Sequence, residues 1–251
     1  EGRELLTSLG ELAIERLRAD ADEDVDGYGD PWGRPVRLSH LELQSGFDGA
    51  RPYPEPFSTS IQATDECGKV NVNRASIGLL TEILREAGAG VEAEAIARAI
   101  ADWRDADNLG DAEDGYYETL PRPYGAANAD VTRIEELLFV RGVTPTMWFG
   151  EDANRNGLLD PEEDDGPLYP PLDNGDGQLQ PGLADLLTAQ GDGTVNVNTA
   201  PPPVLRALLA AAGVDAAEAA RVSEAVVKHR RGADGVEGTE DDRVIAEPAE
   251  L

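Results

Sequence analysis

One six-residue pattern occurs twice in this chain and constrains its fold more than any other feature. The sequence VNVNRA occupies positions 70–75, and VNVNTA occupies positions 195–200. Each copy alternates hydrophobic residues with Asn, as a short strand does, and then reaches residues that suit the start of a helix. Asn73 or Asn198 could accept hydrogen bonds from the amides of the first helical turn, where the prolines at 201–203 do little harm. The repeat therefore predicts the same strand-into-helix junction at two places.

The similarity continues beyond both junctions, with the spacing of helices. Residues displaced by 125 positions match in the pairs Leu80/Leu205, Ile83/Leu208, Leu84/Leu209 and Gly88/Gly213. Residues displaced by 126 positions match in the pairs Ile96/Val222, Ala99/Ala225, Ile100/Val226 and Arg104/Arg230. Each unit is thus predicted to contain a short strand, a helix, a glycine-containing turn and a second helix. We expect two repeats that are similar to helix-hairpin-helix units.

Helical hairpins of this kind often contact the DNA backbone through the glycine turn. Here the turns read AGAGVEAEAIA (87–97) and AAGVDAAEAAR (211–221), with acids instead of lysines beside the glycine. The whole chain has 50 acidic and 21 basic residues, a net charge of −29. Such a charge repels phosphate backbones and anionic lipid headgroups. The hairpins are therefore predicted to be packing modules, and no nucleic-acid partner is expected.

The N-terminal segment has a different pattern. Leu5, Leu9, Leu12 and Leu17 recur at helical spacing, which predicts one amphipathic helix to about Asp20. Residues 21–60 are irregular and rich in proline, with short strand candidates at 36–38 and 57–63. No apolar run is long enough for a transmembrane span or a signal peptide.

The sequence DANRNGLLDPEE at 152–163 has the spacing of a helix–loop–helix calcium loop. Such loops place oxygen ligands at positions 1, 3, 5, 9 and 12, with glycine at position 6 and a ligating backbone carbonyl at position 7. Calcium prefers six to eight oxygen ligands, and the two Asn side chains limit repulsion among the carboxylates. The alternative is a solvated Asp/Asn/Gly turn. The predicted calcium ligands are Asp152, Asn154, Asn156, Leu158 through its carbonyl, Asp160 and Glu163.

Acidic residues also recur in register after each predicted hairpin. Metal ligation or helix capping would explain this recurrence, and a solvated acidic loop is the alternative. The two histidines, His40 and His229, fit no nucleophile or zinc pattern, and no other catalytic motif is present, so we predict no enzymatic activity. The matched acids are Asp107/Asp234, Glu113/Glu240 and Asp114/Asp241, all candidate metal ligands.

Five segments occur in a characteristic order along the chain: IQATDECGKVNVNRAS (61–76), AIADWRDADN (99–108), GDAEDGYY (110–117), PYGAANADVTRIEELLFVRGVTPTMW (123–148) and VNVNTAPPPVL (195–205). The N-terminal LTSLGELAIERLRAD also resembles the distal half of a pilin helix. Together these segments resemble the K-type minor pseudopilin of type II secretion systems (general secretion pathway protein K).

The resemblance implies an α+β fold that is predominantly helical. A pilin-like N-terminal helix and small β-sheet would carry a large inserted α-domain containing the two hairpin repeats. Four regions follow: 1–66 is the pilin-like helix and strand region, and 67–149 is the first hairpin unit with its acidic loop. The calcium loop lies in 150–193, which departs from the family motifs and is interpreted as an insertion, and 194–251 holds the second hairpin unit and acidic loop.

The resemblance also implies a role. Family members cap the tip of the periplasmic pseudopilus, associate with other minor pseudopilins, help to start assembly and bind calcium. They attach to the inner membrane by an N-terminal helix, which we expect upstream of residue 1. Two alternatives remain: a calcium-dependent adhesion or docking module, and a DNA-uptake pseudopilin.

Overall fold

The computed structural model describes residues 2–20, 25–39, 58–154, 159–164, 166, 175 and 177–246. The chain divides into two compact units, Glu1–Asp65 with Ala225–Leu251, and Glu66–Glu224. Helices predominate and strands are short, so the predicted α+β class is confirmed. Within the described ranges, no helix combines the length and the apolar character needed to cross a membrane.

The first unit contains the N-terminal helix and one antiparallel strand pair. Helix α1 spans Gly2–Ala19, strand β1 spans Val36–Ser39 and strand β2 spans Ser58–Ile61. Val36 lies opposite Ile61 in the ladder. Arg16 of α1 donates hydrogen bonds to the carbonyls of Pro31 (3.3 Å) and Arg34 (3.1 Å). The predicted N-terminal helix and both predicted strands are therefore confirmed.

Helices outnumber strands in the second unit, and long loops join several of its elements. Three 3₁₀ segments lie at Glu66–Gly68, Gly90–Glu92 and Ile134–Phe139. The last helix of the chain begins in this unit and ends in the first. The remaining elements are β3 (Val70–Asn71), α2 (Ile77–Glu86), α3 (Ala93–Arg104), α4 (Asp114–Tyr117), α5 (Pro145–Phe149), α6 (Leu183–Leu186), β4 (Leu187–Thr188), α7 (Pro202–Ala211) and α8 (Ala216–Arg230).

Helix α2 is the centre of the second unit because it packs against both α3 and α7. Its residues Leu80, Ile83 and Leu84 are fully buried, at the spacing of one helix face. Burying a side chain of this size stabilises the fold by roughly 1.5–3 kcal/mol. Glu86 of α2 also accepts two hydrogen bonds from Arg206 Nε (3.0 and 3.2 Å) and one from its Nη2.

The two VNVN copies form the same local turn. The side-chain oxygen of Asn71 accepts a hydrogen bond from the amide of Asn73 at 2.8 Å. Asn196 accepts one from the amide of Asn198 at 3.0 Å. Each of these turns is an Asx turn, in which a side chain replaces a backbone acceptor. The hydrogen bonds after the turns also match position by position across the 125-residue displacement.

The turns that end α2 and α7 match as well. Gly88 and Gly213 both have a positive φ, +82° and +88°. The amide of Ala89 donates to the carbonyl of Leu84 (2.9 Å), and Val214 donates to Leu209 (3.0 Å). This six-residue closure through a left-handed glycine terminates both helices.

The predicted caps at Asn73 and Asn198 are wrong. The N-cap of α2 is Ser76, whose hydroxyl accepts from the Leu79 amide at 3.2 Å, and the N-cap of α7 is Pro201. The Asn73 side chain is directed instead to Val131, accepting from its amide at 2.8 Å and donating to its carbonyl at 2.9 Å. Because an Asx turn precedes each helix, the N-cap lies three residues later than predicted, at Ser76 and at Pro201.

The strand predicted in the second VNVN copy is also wrong. Val70 pairs in parallel with Leu187, and the amide of Val72 extends this ladder to Thr188 at 2.8 Å. Because residues 187–188 occupy this edge of β3, the second copy forms no strand. A backbone hydrogen bond joins the second copy to the residues before β3, from the Asn196 amide to the Cys67 carbonyl at 2.8 Å.

Replacing Asn73 by alanine is expected to lower the free energy of unfolding by about 1–3 kcal/mol, because the backbone groups of buried Val131 lose both partners. Asn73→Asp keeps the acceptor and loses the donor, so it should lose less. Urea denaturation of the three proteins measures both effects. If the alanine variant is as stable as wild type, the amide does not fix this loop.

Candidate metal centre

The end of helix α3 brings acidic side chains to the start of α4. Asp102 lies in the last turn of α3, and Asp105 is its C-cap. Glu113 immediately precedes α4 at its N-cap position. Each of these three residues offers a carboxylate oxygen, and the three oxygens lie within 4.8 Å of one another. The helix end and the loop return thus form one carboxylate cluster.

Glu113 is the buried member of the cluster. Only 5% of its surface is exposed, and neither of its oxygens has a hydrogen-bond partner. Burial raises its pKa above that of an ordinary glutamate, and the charges of neighbouring acids raise this pKa further. A buried carboxylate without a donor is unfavourable unless a cation or a proton compensates it. The neighbours that raise this pKa are Asp102, Asp105, Asp107 and Asp114.

The aspartates also shape the loop between the two helices. Asp102 accepts a hydrogen bond from the amide of Ala112 at 3.0 Å, and Asp105 accepts one from Asp107 at 3.3 Å. A Cβ atom at Gly110 would collide with the carboxylate of Asp102, so any larger residue here would displace that side chain. The loop is therefore held close to the carboxylates that it surrounds.

An aromatic cluster packs around Tyr117, the last residue of α4. Tyr117 is fully buried, with its ring 5.2 Å from Trp103 edge-on and 5.1 Å from Tyr124 in a stacked arrangement. Its hydroxyl accepts a hydrogen bond from the amide of Arg141 at 3.2 Å, and burial raises its pKa to about 12. Since Tyr117 ends the helix that follows Glu113, this packing fixes the position of the glutamate.

The donor set decides which metal fits. All three clustered groups are carboxylates, and hard cations such as calcium and magnesium prefer oxygen ligands. Calcium accepts irregular geometry, whereas magnesium requires a near-ideal octahedron. The residues present therefore fit a calcium ion.

The predicted ligands of the first acidic loop have different environments. Glu113 lies in the cluster, and Asp107 is close enough to influence its pKa. Asp114 accepts a hydrogen bond from the Ala126 amide at 2.8 Å, as a loop-closing residue does. Sequence reasoning missed Asp102 and Asp105. Their spacing of three residues at a helix end, in the sequence DWRD (102–105), was the available signal.

The second acidic loop brings its residues together around backbone amides. Asp241 accepts from the amides of Ala233 (2.6 Å) and Asp234 (3.0 Å). A further hydrogen bond, from the Thr239 hydroxyl, is the largest cause that lowers the pKa of Asp241 to about 2. Glu240, matched to buried Glu113, is exposed and pairs with Arg34 at 3.1 Å. Asp241 therefore closes the turn that follows α8, where no helix begins, so neither helix capping nor the burial seen at Glu113 describes it.

The predicted calcium loop at 152–163 is described in part. Asp152 and Glu163 are buried, and Glu163 accepts from the amides of Ala153 (2.9 Å) and Asp160 (3.2 Å). The side-chain amide of Asn154 donates to the Asp160 carboxylate at 2.8 Å. The structure thus brings Asn154, Asp160 and Glu163 together. Asn156 and Leu158 lie outside the described residues.

A second acidic group lies in the first unit, at Asp20, Asp26 and Asp30. The carboxylate of Asp30 accepts from the Gly27 amide at 2.7 Å. These side chains are half-buried or exposed, so this group has no buried carboxylate like Glu113.

Part of the chain matches a known family model. Residues 60–149 match the family model described as type II secretion system (T2SS), protein K. The type II secretion system protein K of Pectobacterium carotovorum subsp. carotovorum is 42% identical over 59 residues, covering 22% of this chain and 18% of that protein. The matched 60–149 segment contains the whole carboxylate cluster.

The fold has a counterpart among crystal structures. A chain of the GspK-GspI-GspJ complex from the enterotoxigenic Escherichia coli type 2 secretion system superimposes with a TM-score of 0.52 and 18% identity. The match covers 82% of this chain and 65% of that chain, so this chain spans less than two thirds of either relative. At this identity the likeness establishes a shared fold. With the family-model match, it confirms the predicted resemblance of this chain to protein K of type II secretion systems.

Proposed function

We propose that this chain acts as a K-type minor pseudopilin, which caps the tip of the type II secretion pseudopilus and helps to initiate its assembly. The observation that carries the proposal is the family-model match over residues 60–149. The shared fold over 82% of the chain supports it. The proposed role is structural and involves no enzymatic step. In this role the protein would lie on the periplasmic face of the inner membrane.

The proposed cofactor is calcium, held at the carboxylate cluster by Asp102, Asp105 and Glu113. Asp107 is the nearby candidate for a further ligand, and Asp114 closes the loop from the α4 side. When bound, calcium would neutralise these carboxylates and link the end of α3 to the start of α4. The 152–163 loop is the second proposed site. Its closed arrangement of Asn154, Asp160 and Glu163 supports this proposal.

The capping role would follow from the two matched hairpins. Helices α2 and α7 pack together in the second unit, and we propose that they belong to duplicated hairpin repeats in an inserted α-domain. A rigid helical body of this kind would occupy the space above the tip, where a further pilin subunit would otherwise stack. Neutralised carboxylates would keep that body compact despite a net charge of −29.

The adhesion alternative uses the same calcium sites but requires no other pseudopilin. The DNA-uptake alternative requires a turn that attracts phosphate. Yet the described turn after α2 exposes Val91 (96%) and is followed by Glu92. Charge therefore opposes the DNA-uptake alternative.

Assembly with partner subunits tests the proposed role. GspK, GspI and GspJ form the complex that contains the matched chain, and we expect this chain to form a corresponding complex. Mixed in calcium with the I-type and J-type pseudopilins of its own genome, it should elute with them in size-exclusion chromatography with light scattering, at the mass of a heterotrimer. Elution of all three as separate proteins would refute the capping role.

A further inference from the structure

A surface of aromatic rings and one arginine lies next to the carboxylate cluster. It consists of Tyr116, Tyr124, Phe139 and Arg141 (the aromatic–arginine patch). The Arg141 guanidinium lies over the Tyr116 ring, 4.9 Å from its centre. The rings of Tyr124 and Phe139 meet edge-on, with their centres 5.9 Å apart. The ring of Tyr117 contacts both Tyr116 and Tyr124 and so joins the two pairs, and none of these contacts involves a carboxylate of the cluster.

Arg141 is held in place by a ring and by backbone groups, in a cavity that it shares with Asp102 and Asp111. Its Nη1 atom donates to the Asp111 carbonyl at 3.0 Å, and its backbone amide donates to the Tyr117 hydroxyl at 3.2 Å. In the described part of the chain its guanidinium forms no ion pair, although acidic residues outnumber basic ones 50 to 21. An arginine fixed by a ring and a carbonyl keeps donors available for a planar acceptor such as a carboxylate.

Phe139 provides the apolar part of the patch. Its surface is 57% exposed. The Tyr124 hydroxyl donates to its carbonyl at 2.8 Å, and Tyr124 in turn stacks on buried Tyr117. Exposed aromatic and arginine side chains on a rigid support are typical of the residues that dominate binding at protein interfaces. Little side-chain freedom would be lost on binding, because these contacts already restrict it.

We propose that the aromatic–arginine patch docks a segment of a protein partner in which a carboxylate stands next to an apolar side chain. The carboxylate would pair with the guanidinium of Arg141, and the apolar side chain would cover Phe139. The net charge of −29 repels a second copy of this chain at long range. It does not prevent a local contact, because charges separated by more than about 8 Å are screened at physiological ionic strength.

Two blocked tripeptides test the proposal: acetyl-LDF-amide and acetyl-LNF-amide, which differ by one carboxylate. Titrated into protein labelled with ¹³C and ¹⁵N, the LDF peptide should shift the Nε–H signal of Arg141 and the ring signals of Phe139. The LNF peptide should bind about tenfold more weakly, since a charge-assisted pair is lost. Arg141→Gln and Phe139→Ala should each weaken LDF binding by a similar factor. Arg98→Gln is the matched control and should change nothing, because Arg98 already pairs with Glu94 at 2.7 Å.

Three results would overturn the proposal: equal binding of both peptides, no shift with about 10 mM LDF peptide, or shifts that depend on protein concentration alone, which indicate a second copy. None of the patch contacts uses a metal, so the LDF shifts should appear in EDTA as well as in calcium. Failure of the calcium site and failure of the patch therefore give different results.

Discussion

Replacing Glu113 by glutamine is expected to change stability in opposite directions with and without calcium. In EDTA the variant should be more stable than wild type by about 1–3 kcal/mol, because it removes a buried charge that has no donor. In calcium the variant should be less stable, because it lacks a ligand. At a calcium concentration 100 times the dissociation constant, wild type should gain about 2.7 kcal/mol. The variant should gain little of this.

The pH dependence of the same pair of proteins checks the cause. The folded chain raises the pKa of Glu113. Between the ordinary pKa of glutamate and this raised pKa, the folded state therefore holds a proton that the unfolded state has released. In EDTA the free energy of unfolding should fall as pH rises through this window and level off above it. The difference between wild type and Glu113→Gln isolates this group from the other carboxylates.

Calorimetric melting curves in EDTA and in calcium, over a series of pH values, measure both effects. Glu118→Gln is the matched control, because it removes an exposed acid at the other end of α4. It should leave the calcium response unchanged. Equal calcium responses in wild type and Glu113→Gln would remove Glu113 from the proposed site. A variant that is less stable in EDTA would show that the buried charge already has a partner.

The candidate site could be predicted from sequence only where a repeat indicated it. The match to Glu240 selected Glu113, yet the two side chains differ, one buried and the other paired with Arg34. A repeat in the sequence indicates that both copies have a similar backbone. The burial of each side chain depends instead on the residues that pack against it. Asp102 and Asp105 were missed because acids at the end of a helix are usually solvated. Only the fold shows that the loop returns over them.

The fold was easier to predict where local chemistry determines it. The Asx turns and the left-handed glycines are set by a few adjacent residues, and these recur in both copies. The caps and the second strand depend on distant partners. The backbone of Val131 forms hydrogen bonds with the side chain of Asn73. Leu187 pairs with the edge of β3 at which a second strand would otherwise pair. Neither partner can be identified from the VNVN pattern.

Truncating matched leucines tests whether the two hairpins are equivalent in energy as well as in sequence. Leu80 of α2 is fully buried, and Leu205 of α7, displaced by 125 positions, is 7% exposed. Leu80→Ala and Leu205→Ala should each lower the free energy of unfolding by about 2–5 kcal/mol, because each leaves a cavity in a packed core. Leu80 should lie at the upper end, because α2 contacts both α3 and α7.

Val91→Ala is the control for these truncations, since Val91 is 96% exposed and its change should stay within about 0.5 kcal/mol. Urea denaturation gives all three values. A loss below about 1 kcal/mol for Leu205→Ala, with a large loss for Leu80→Ala, would mean that the second copy keeps the pattern without the packing. The two leucines occupy matched helix positions, and both substitutions remove the same atoms. Unequal losses in the free energy of unfolding would therefore arise from the residues that surround each leucine. In that case the duplicated sequence would have retained its turns while only the first hairpin stabilises the core.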